Sequence, residues 1–326
     1  MYTSTVKPCF WLLDVREAWP GTKIIEAVCS VFSCYWTSTG RGLQVFTLSS
    51  LDPSSSILHS LTSLQAPEAL ATLPQPEQQK AQKFHFIRDA RLSLGSSLLK
   101  RLFIVKTLAI PWTEISFSRI GHPQHGKPCC DPDGCGKHVV DFNVSHQAGL
   151  VALVGCSARD ALVGVDITCV NERNEKRVID REGFESFVDM HEEVFSKADL
   201  AAIKAAEGDL DHKIRTFYAF WALKEAFVKL EGEALLADWL KETEFRNVVA
   251  PAAVKQSGKS EESTRTTKIE VWRSGMEQQD VEMILQAFEE NYLIATAVKK
   301  PEGSRFAGLP ELKVLDIEED IMPFAD

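Results

Sequence analysis

Apolar residues recur at helical spacing through "KAQKFHFIRDARLSLGSSLLKRLFIVKTL", residues 80–108, where Leu94, Leu98, Leu102 and Val105 share a face. The pattern predicts one long amphipathic helix or two in succession. Farther on, "HVVDFNVSHQAGLVALVGC" has apolar stretches on either side of a polar His-Gln-Ala-Gly break and reads as strand, turn, strand, with another strand at "ALVGVDITCV". Residues 172–215 are mostly charged with a 3.6-residue rhythm and read as helical. The apolar helix "FWALKEAFVKLEG" then carries Lys224, Glu225 and Lys229 inside it. Strands follow near "TEFRNVV", "TKIEVWR", "DVEMILQAF" and "NYLIATAVKK", with a polar loop at "KQSGKSEESTRTT". Residues 21–76, Ser-rich and then Pro-flanked, predict irregular structure around one helix, and the acidic stretch 301–326 predicts a peripheral tail.

A faint repeat links the two long helices. "LLKRLFIVK" followed by "IPWTEISFSR" parallels "ALKEAFVKL" followed by "LADWLKETEFR", and each copy ends in a strand of the type "GLVALVG" or "YLIATAV". The expectation is an α+β fold, a pseudo-two-fold duplication of an α/β unit with halves at 1–157 and 158–300 and the active site between them. Arg101 occupies the place of Glu225, so one half is expected to offer cations and the other a carboxylate across the interface.

At 326 residues, 44% apolar and 25% charged, the chain has the profile of a soluble globular protein. The formal charge of -10 gives no global attraction to nucleic acid or to an anionic membrane, so an anion site has to be a local basic cluster. One exists: Lys80, Lys83, Arg88, Arg91, Lys100, Arg101 and Lys106 are opposed within 80–108 by Asp89 alone, although a plain solvated face accounts for it equally well. No stretch approaches the ~20 apolar residues of a membrane helix. Eight scattered cysteines in a chain of this length point to reduced thiols and a cytoplasmic protein. Cys129, Cys130, Cys135 and His138 fall within ten residues, but adjacent cysteines seldom share one zinc tetrahedron, and a Gly/Pro/Asp-rich surface loop is the preferred reading.

Three short elements carry candidate chemistry. In "VGVDIT", alternation puts Val163, Val165 and Ile167 on one face and Gly164, Asp166 and Thr168 on the other, an acid in an apolar strand beside a glycine that leaves room for a close approach. A buried Asp costs several kcal/mol unless paired or metal-bound; a structural salt bridge is the plainer explanation. Glu225 and Lys229 form an i,i+4 pair worth only ~0.3–0.5 kcal/mol in isolation, or present a carboxylate to a cation and an ammonium to a phosphate. In "FNVSHQ", Ser145, His146 and Gln147 end a strand, and a satisfied structural histidine competes with phosphate donation. A Ser-His nucleophile pair is disfavoured, since adjacent strand residues face opposite ways.

Together and in this order, "FNVSHQ" at 142–147, "VGVDI" at 163–167 and "FWALKEAFVKLEG" at 220–232 resemble the Sfp-type 4'-phosphopantetheinyl transferases, with supporting similarity over about 80–298 and wording closest to the broad-range enzymes of filamentous fungi. The last stretch is that family's W-x-x-K-E-x-x-x-K signature. The resemblance implies transfer of 4'-phosphopantetheine from coenzyme A to a serine of apo acyl or peptidyl carrier protein domains in fatty acid, polyketide, nonribosomal peptide and lysine biosynthesis. It implies Mg2+, with Mn2+ as a substitute, on Asp166 and Glu225, and Thr168 and Gln147 contributing through water. Glu225, Lys229 and His146 are then the catalytic set. Lys80, Arg91, Arg119, Lys127, Ser145, His146, Gln147, Lys224 and Lys229 are the implied coenzyme contacts. Glu225 is the candidate general base, with a purely electrostatic role almost as well supported. Many bacterial members have Glu where this chain has Thr168, so three carboxylates are not assumed. The segment 21–50 looks inserted. A monomer with no nucleic-acid or membrane partner is expected. The alternative is a non-catalytic coenzyme A or carrier-binding module of the same fold.

Overall fold

The computed structural model describes residues 5–16, 67–120, 126–130, 140–158, 160–173, 175–233, 237–254, 268–306, 308 and 312–325. The segment that looks inserted, Cys135, His138 and the loop at 255–267 lie outside the described residues.

Two copies of one plan are evident. In the first, strand β1 (Cys9–Asp14) precedes two short helices, α1 (Pro67–Ala71) and α2 (Gln75–Gln82), and the long helix α3 (Ile87–Leu108). A short hairpin, β2 (Ser118–Ile120) with β3 (Lys127–Cys129), leads to β4 (Asp141–Gln147) and β5 (Leu150–Cys156). In the second copy, β6 (Leu162–Cys169) precedes the short helices α4 (Glu175–Glu182), α5 (Phe184–Asp189) and α6 (Lys197–Lys204) and the long α7 (Leu210–Glu231). Strands β7 (Thr243–Arg246) and β8 (Glu270–Arg273) pair, and β9 (Val281–Phe288) and β10 (Tyr292–Lys299) complete the sheet.

Both long helices have 22 residues, and both end on a residue in the left-handed conformation, Ala109 at φ 54° and Gly232 at φ 77°. The sheets correspond too: β5 lies between β1 and β4, and β10 lies between β6 and β9. This is the duplicated α+β architecture read from the sequence. The turn between β4 and β5 is shorter than expected. It consists of Ala148 and Gly149, both at positive φ as a two-residue hairpin turn requires, while His146 and Gln147 remain in the strand.

Three cores follow from this plan. The first-half core gathers Leu94, Leu98, Leu102 and Phe103 of α3 against Leu13, Val151 and Leu153. The second gathers Phe217, Phe220, Leu223, Ala226 and Phe227 of α7 against Leu285, Leu293 and Ala295. Between the sheets, Phe10, Leu12, Ala152 and Val154 meet Val163, Val165, Ile167 and Ile294, so the alternation read in β6 holds.

Two expectations are corrected. Residues 313–325 are no peripheral tail: β11 (Lys313–Leu315) adds in parallel to β1, and Leu315, Ile317 and Ile321 enter the first core. Apolar spacing within that acidic stretch carries the packing. Arg101 does not face the second half. It is 1% exposed inside the first, donating to the Trp112 carbonyl at 2.6 Å and to Glu77 at 2.5 Å.

Candidate functional site

The two sheets meet along β4 and β6 through side chains. In "DFNVSHQ" the odd positions Asp141, Asn143, Ser145 and Gln147 point at β6. They accept the backbone N–H groups of Val163 (2.7 Å), Val165 (3.4 Å), Ile167 (3.2 Å) and Cys169 (3.1 Å). An edge strand has N–H groups that need acceptors once buried, and four polar side chains at period two supply them. This zipper sets β6 against the first half and brings Ser145 beside Asp166.

Asp166 is buried. Its Oδ1 accepts Lys229 Nζ at 2.6 Å and Ser145 Oγ at 3.1 Å, and its Oδ2 accepts Thr168 Oγ1 at 2.7 Å. Lys229 Nζ also donates to Ser145 Oγ at 3.0 Å. Gly164 explains how α7 reaches this depth: a Cβ there would lie 2.2 Å from the Ala226 carbonyl oxygen and 2.6 Å from the Leu230 nitrogen. The close approach that the glycine permits is therefore that of the helix backbone, which carries Glu225 and Lys229 to the strand. Burial raises the Glu225 carboxyl above the ordinary carboxylate range, with the Asp166 charge adding to it and the Lys229 ammonium opposing it.

His146, on the opposite side of β4 from Ser145, is exposed. Solvent reaches the side chain, yet the protein around the ring desolvates it in part, and this, followed by the nearby Lys229 ammonium, pulls its pKa below the ordinary histidine value. Lys80 and Asp89 also act on it electrostatically, and Lys80 in turn lines a cleft. That cleft is lined by Lys80, Lys100, Arg101 and Arg119 with Ser97 and Ser118. Burial, more than the neighbouring cations, lowers the Lys100 ammonium to about 8. Its position in the cleft, one turn before "FIVK", was legible only as part of a basic run.

Of the implied site residues, the structure brings together Asp166, Glu225, Lys229, Ser145, Thr168 and His146, and places Lys80 and Arg119 in the adjoining cleft. Others are engaged elsewhere. Lys224, expected on the coenzyme, is 0% exposed; its Nζ lies 2.9 Å from Asp199 Oδ2 and donates to the carbonyls of Leu240, at 3.0 Å, and Thr243. Position 224 faces β7 and α6, one helix face away from Glu225. Lys127 is also buried, paired with Asp141 and donating to the Val163 carbonyl at 2.7 Å, so its ammonium closes one end of the zipper. Gln147 is committed at both ends of its amide, to Cys169 and to Glu172 Oε2 at 2.5 Å. Arg91 reaches the Arg16 carbonyl at 3.5 Å rather than the cleft. Cys129 and Cys130 are buried rather than on a surface loop, with Cys129 Sγ 2.9 Å from Ser118 Oγ.

The donor set suits a hard divalent cation. Two carboxylates converge with a buried negative charge that Lys229 only partly offsets, and among the described residues no third His, Cys, Asp or Glu joins them. Mg2+ is bound in this way, by one or two carboxylates with water and phosphate oxygens completing the octahedron. Among the described residues no helix is long and apolar enough to cross a membrane.

Two family models cover most of the chain: one described as 4'-phosphopantetheinyl transferase, N-terminal, matches residues 62–158, and one described as 4'-phosphopantetheinyl transferase superfamily matches 162–297. A 4'-phosphopantetheinyl transferase of Aureobasidium melanogenum is 37% identical, covering 97% of this chain and 96% of its own length. The 4'-phosphopantetheinyl transferase NpgA of Emericella nidulans is 39% identical over 78% of this chain and 88% of its own. The human L-aminoadipate-semialdehyde dehydrogenase-phosphopantetheinyl transferase is 26% identical over 74% and 72%.

Proposed function

The chain belongs to the 4'-phosphopantetheinyl transferase superfamily, and on that premise we propose that Asp166 and Glu225 hold Mg2+, with Mn2+ able to replace it, beside a cleft that takes the phosphates of coenzyme A. The protein is an enzyme that moves 4'-phosphopantetheine onto a serine of apo carrier protein domains. When bound, the metal supplies positive charge to the pyrophosphate oxygens. Everything else falls to the chain's own side chains.

The carrier serine oxygen forms a bond to the phosphorus next to pantetheine, and the bond from that phosphorus to the bridging oxygen breaks, releasing adenosine 3',5'-bisphosphate. Negative charge grows on the departing and equatorial oxygens, and stabilising it is the main lever in phosphoryl transfer. Lys229 takes this role, held by Asp166 and Ser145 so that little reorganisation is needed. His146 donates an N–H to a phosphate oxygen and gains a proton if the phosphate raises its pKa. Glu225 accepts the serine proton, and such groups contribute roughly 10²–10⁴-fold. Lys80, Arg119 and Lys100 bind the remaining phosphates. Ser145 fixes Lys229, and Lys127 and Gln147 hold the zipper.

The observation that carries this reading is the convergence of Asp166, Glu225 and Lys229 from two elements packed through Gly164. The transferases to which the chain is similar favour this reading over a non-catalytic binding module. Incubation with coenzyme A, Mg2+ and apo carriers of the acyl, polyketide, peptidyl and aminoadipate-reductase types is expected to add the mass of phosphopantetheine to at least one. No mass gain on any of them refutes the reading.

A further inference from the structure

The elbow between α2 and α3, residues 83–88, exposes aromatic surface that the fold does not use. Phe84 is 41% exposed and Phe86 57%. Phe86 is also the N-cap of the 22-residue α3 and makes no side-chain cap bond, where Ser, Thr, Asp or Asn would stabilise the helix by about 1 kcal/mol. Neither burial nor capping accounts for a phenylalanine at that position. Lys80, Lys83, His85 and Arg88 flank the two rings in the chain, with His85 against the Phe86 ring at 5.0 Å and Arg88 over it at 5.4 Å, and Asp89 lies 3.6 Å from Arg88. On a chain of net charge -10 this is a local cationic and aromatic ridge.

Its position ties it to the reaction. Asp89 lies one turn beyond Phe86, its N–H bonded to the Phe86 carbonyl at 3.0 Å, and both Asp89 and Lys80 act electrostatically on His146. Lys80, on α2, also lines the cationic cleft, so the ridge that follows it in the chain borders that cleft. Exposed aromatics flanked by cations, next to the reaction centre, are the composition of an interface centre with a charged rim. We propose that this elbow is the docking ridge for the carrier protein, and that the carrier presents to it an apolar side chain flanked by carboxylates, close to its acceptor serine. The inference rests on the transferase reading above and adds to it the surface and the chemistry of the face it meets. The aromatic pair supplies contact, and the cations set orientation and encounter rate.

The test uses the full-length enzyme, coenzyme A, Mg2+ and an apo carrier domain that the unaltered enzyme modifies. Two variants are compared with it, Phe84→Ala with Phe86→Ala, and Lys83→Glu with Arg88→Glu. The carrier KM is expected to rise at least ~10-fold in each, the loss that follows from removing an interface anchor. The coenzyme A KM stays within about 2-fold, and the melting temperature is unchanged because all four side chains are exposed. Added salt should raise the carrier KM of the unaltered enzyme and do so less in the charge-reversed variant. An unchanged carrier KM in both variants overturns the proposal. So does a coenzyme A KM that rises in step with the carrier KM, which would assign the elbow to the coenzyme cleft. If the unaltered enzyme modifies no carrier, the transferase reading itself fails, an outcome distinct from either.

Discussion

Replacing Lys224 by Met tests whether the lysine beside Glu225 in the signature helix holds the fold or the coenzyme. Its ammonium is fully buried and 2.9 Å from Asp199, which in turn accepts the N–H of Phe245 at 2.9 Å and of Ser196 at 3.2 Å, so one pair ties α6, α7 and β7 together. Removing one partner of a buried, hydrogen-bonded pair costs about 3–5 kcal/mol, because the other charge is left uncompensated. At roughly 2 °C per kcal/mol for a chain of this size, the melting temperature should fall by about 6–10 °C. Asp199→Asn should fall by a similar amount, and Lys224→Met with Asp199→Leu by less than the sum of the singles, since both charges go together. Thermal melts give the stability, and initial rates at 20 °C, where the variant remains folded, give the coenzyme A KM, expected within about 2-fold of the unaltered enzyme. A normal melt combined with a tenfold or larger rise in that KM would refute the structural assignment and restore Lys224 to the coenzyme site.

Three further outcomes follow from the geometry. Gly164→Ala puts a methyl group against the α7 backbone and should destabilise by about 1–3 kcal/mol; with Lys229 and Glu225 displaced from Asp166, transfer should fall on the order of 10²-fold, and a normal rate in that variant would show that the helix can shift freely. Lys100 loses its charge as pH rises through about 8, so the coenzyme A KM should increase about tenfold from pH 7 to 9 and Lys100→Met should flatten that profile. The unfolded chain keeps this proton to about 10.4, so the coenzyme-free protein should gain stability between pH 8 and 10, a gain absent in Lys100→Met; an identical pH dependence in melts of both proteins would remove Lys100 from a desolvated cleft. Asp166→Asn should retain the zipper and the fold, as judged by circular dichroism, yet transfer at under about 1% of the normal rate; a rate within a few-fold of normal would discard the carboxylate pair.

The repeat was legible because both halves need the same packing: a 22-residue amphipathic helix over a three-stranded unit leaves the same apolar rhythm twice. Alternation in "VGVDIT" set Asp166 on the face opposite Val163, Val165 and Ile167, and the structure keeps it there, on the side that meets α7. What alternation did not reveal in "DFNVSHQ" was the identity of the partner. Asp141, Asn143, Ser145 and Gln147 form a polar face at period two, a pattern that in one strand looks solvated, and only the neighbouring strand's unpaired N–H groups turn it into a zipper. The buried placement of Lys224 and Lys127 was not legible for a related reason. A lysine in a signature helix or beside a Gly-Lys-Pro turn reads as a phosphate ligand, whereas its burial depends on Asp199 and Asp141, far away in the chain. The acidic C-terminal stretch misled through its charge, since Leu315, Ile317, Ile321 and Ala325, spaced among the acids, seat it in the first core.

The central claim is that Asp166 and Glu225, brought together by α7 and β6, hold the divalent ion on which transfer depends. Calorimetric titration of Mg2+ into the enzyme saturated with coenzyme A, repeated with Glu225→Gln, measures this directly. The account predicts one bound ion for the unaltered enzyme and an affinity reduced at least ~10-fold in the variant, with its fold intact. Equal affinity in the two proteins would contradict it.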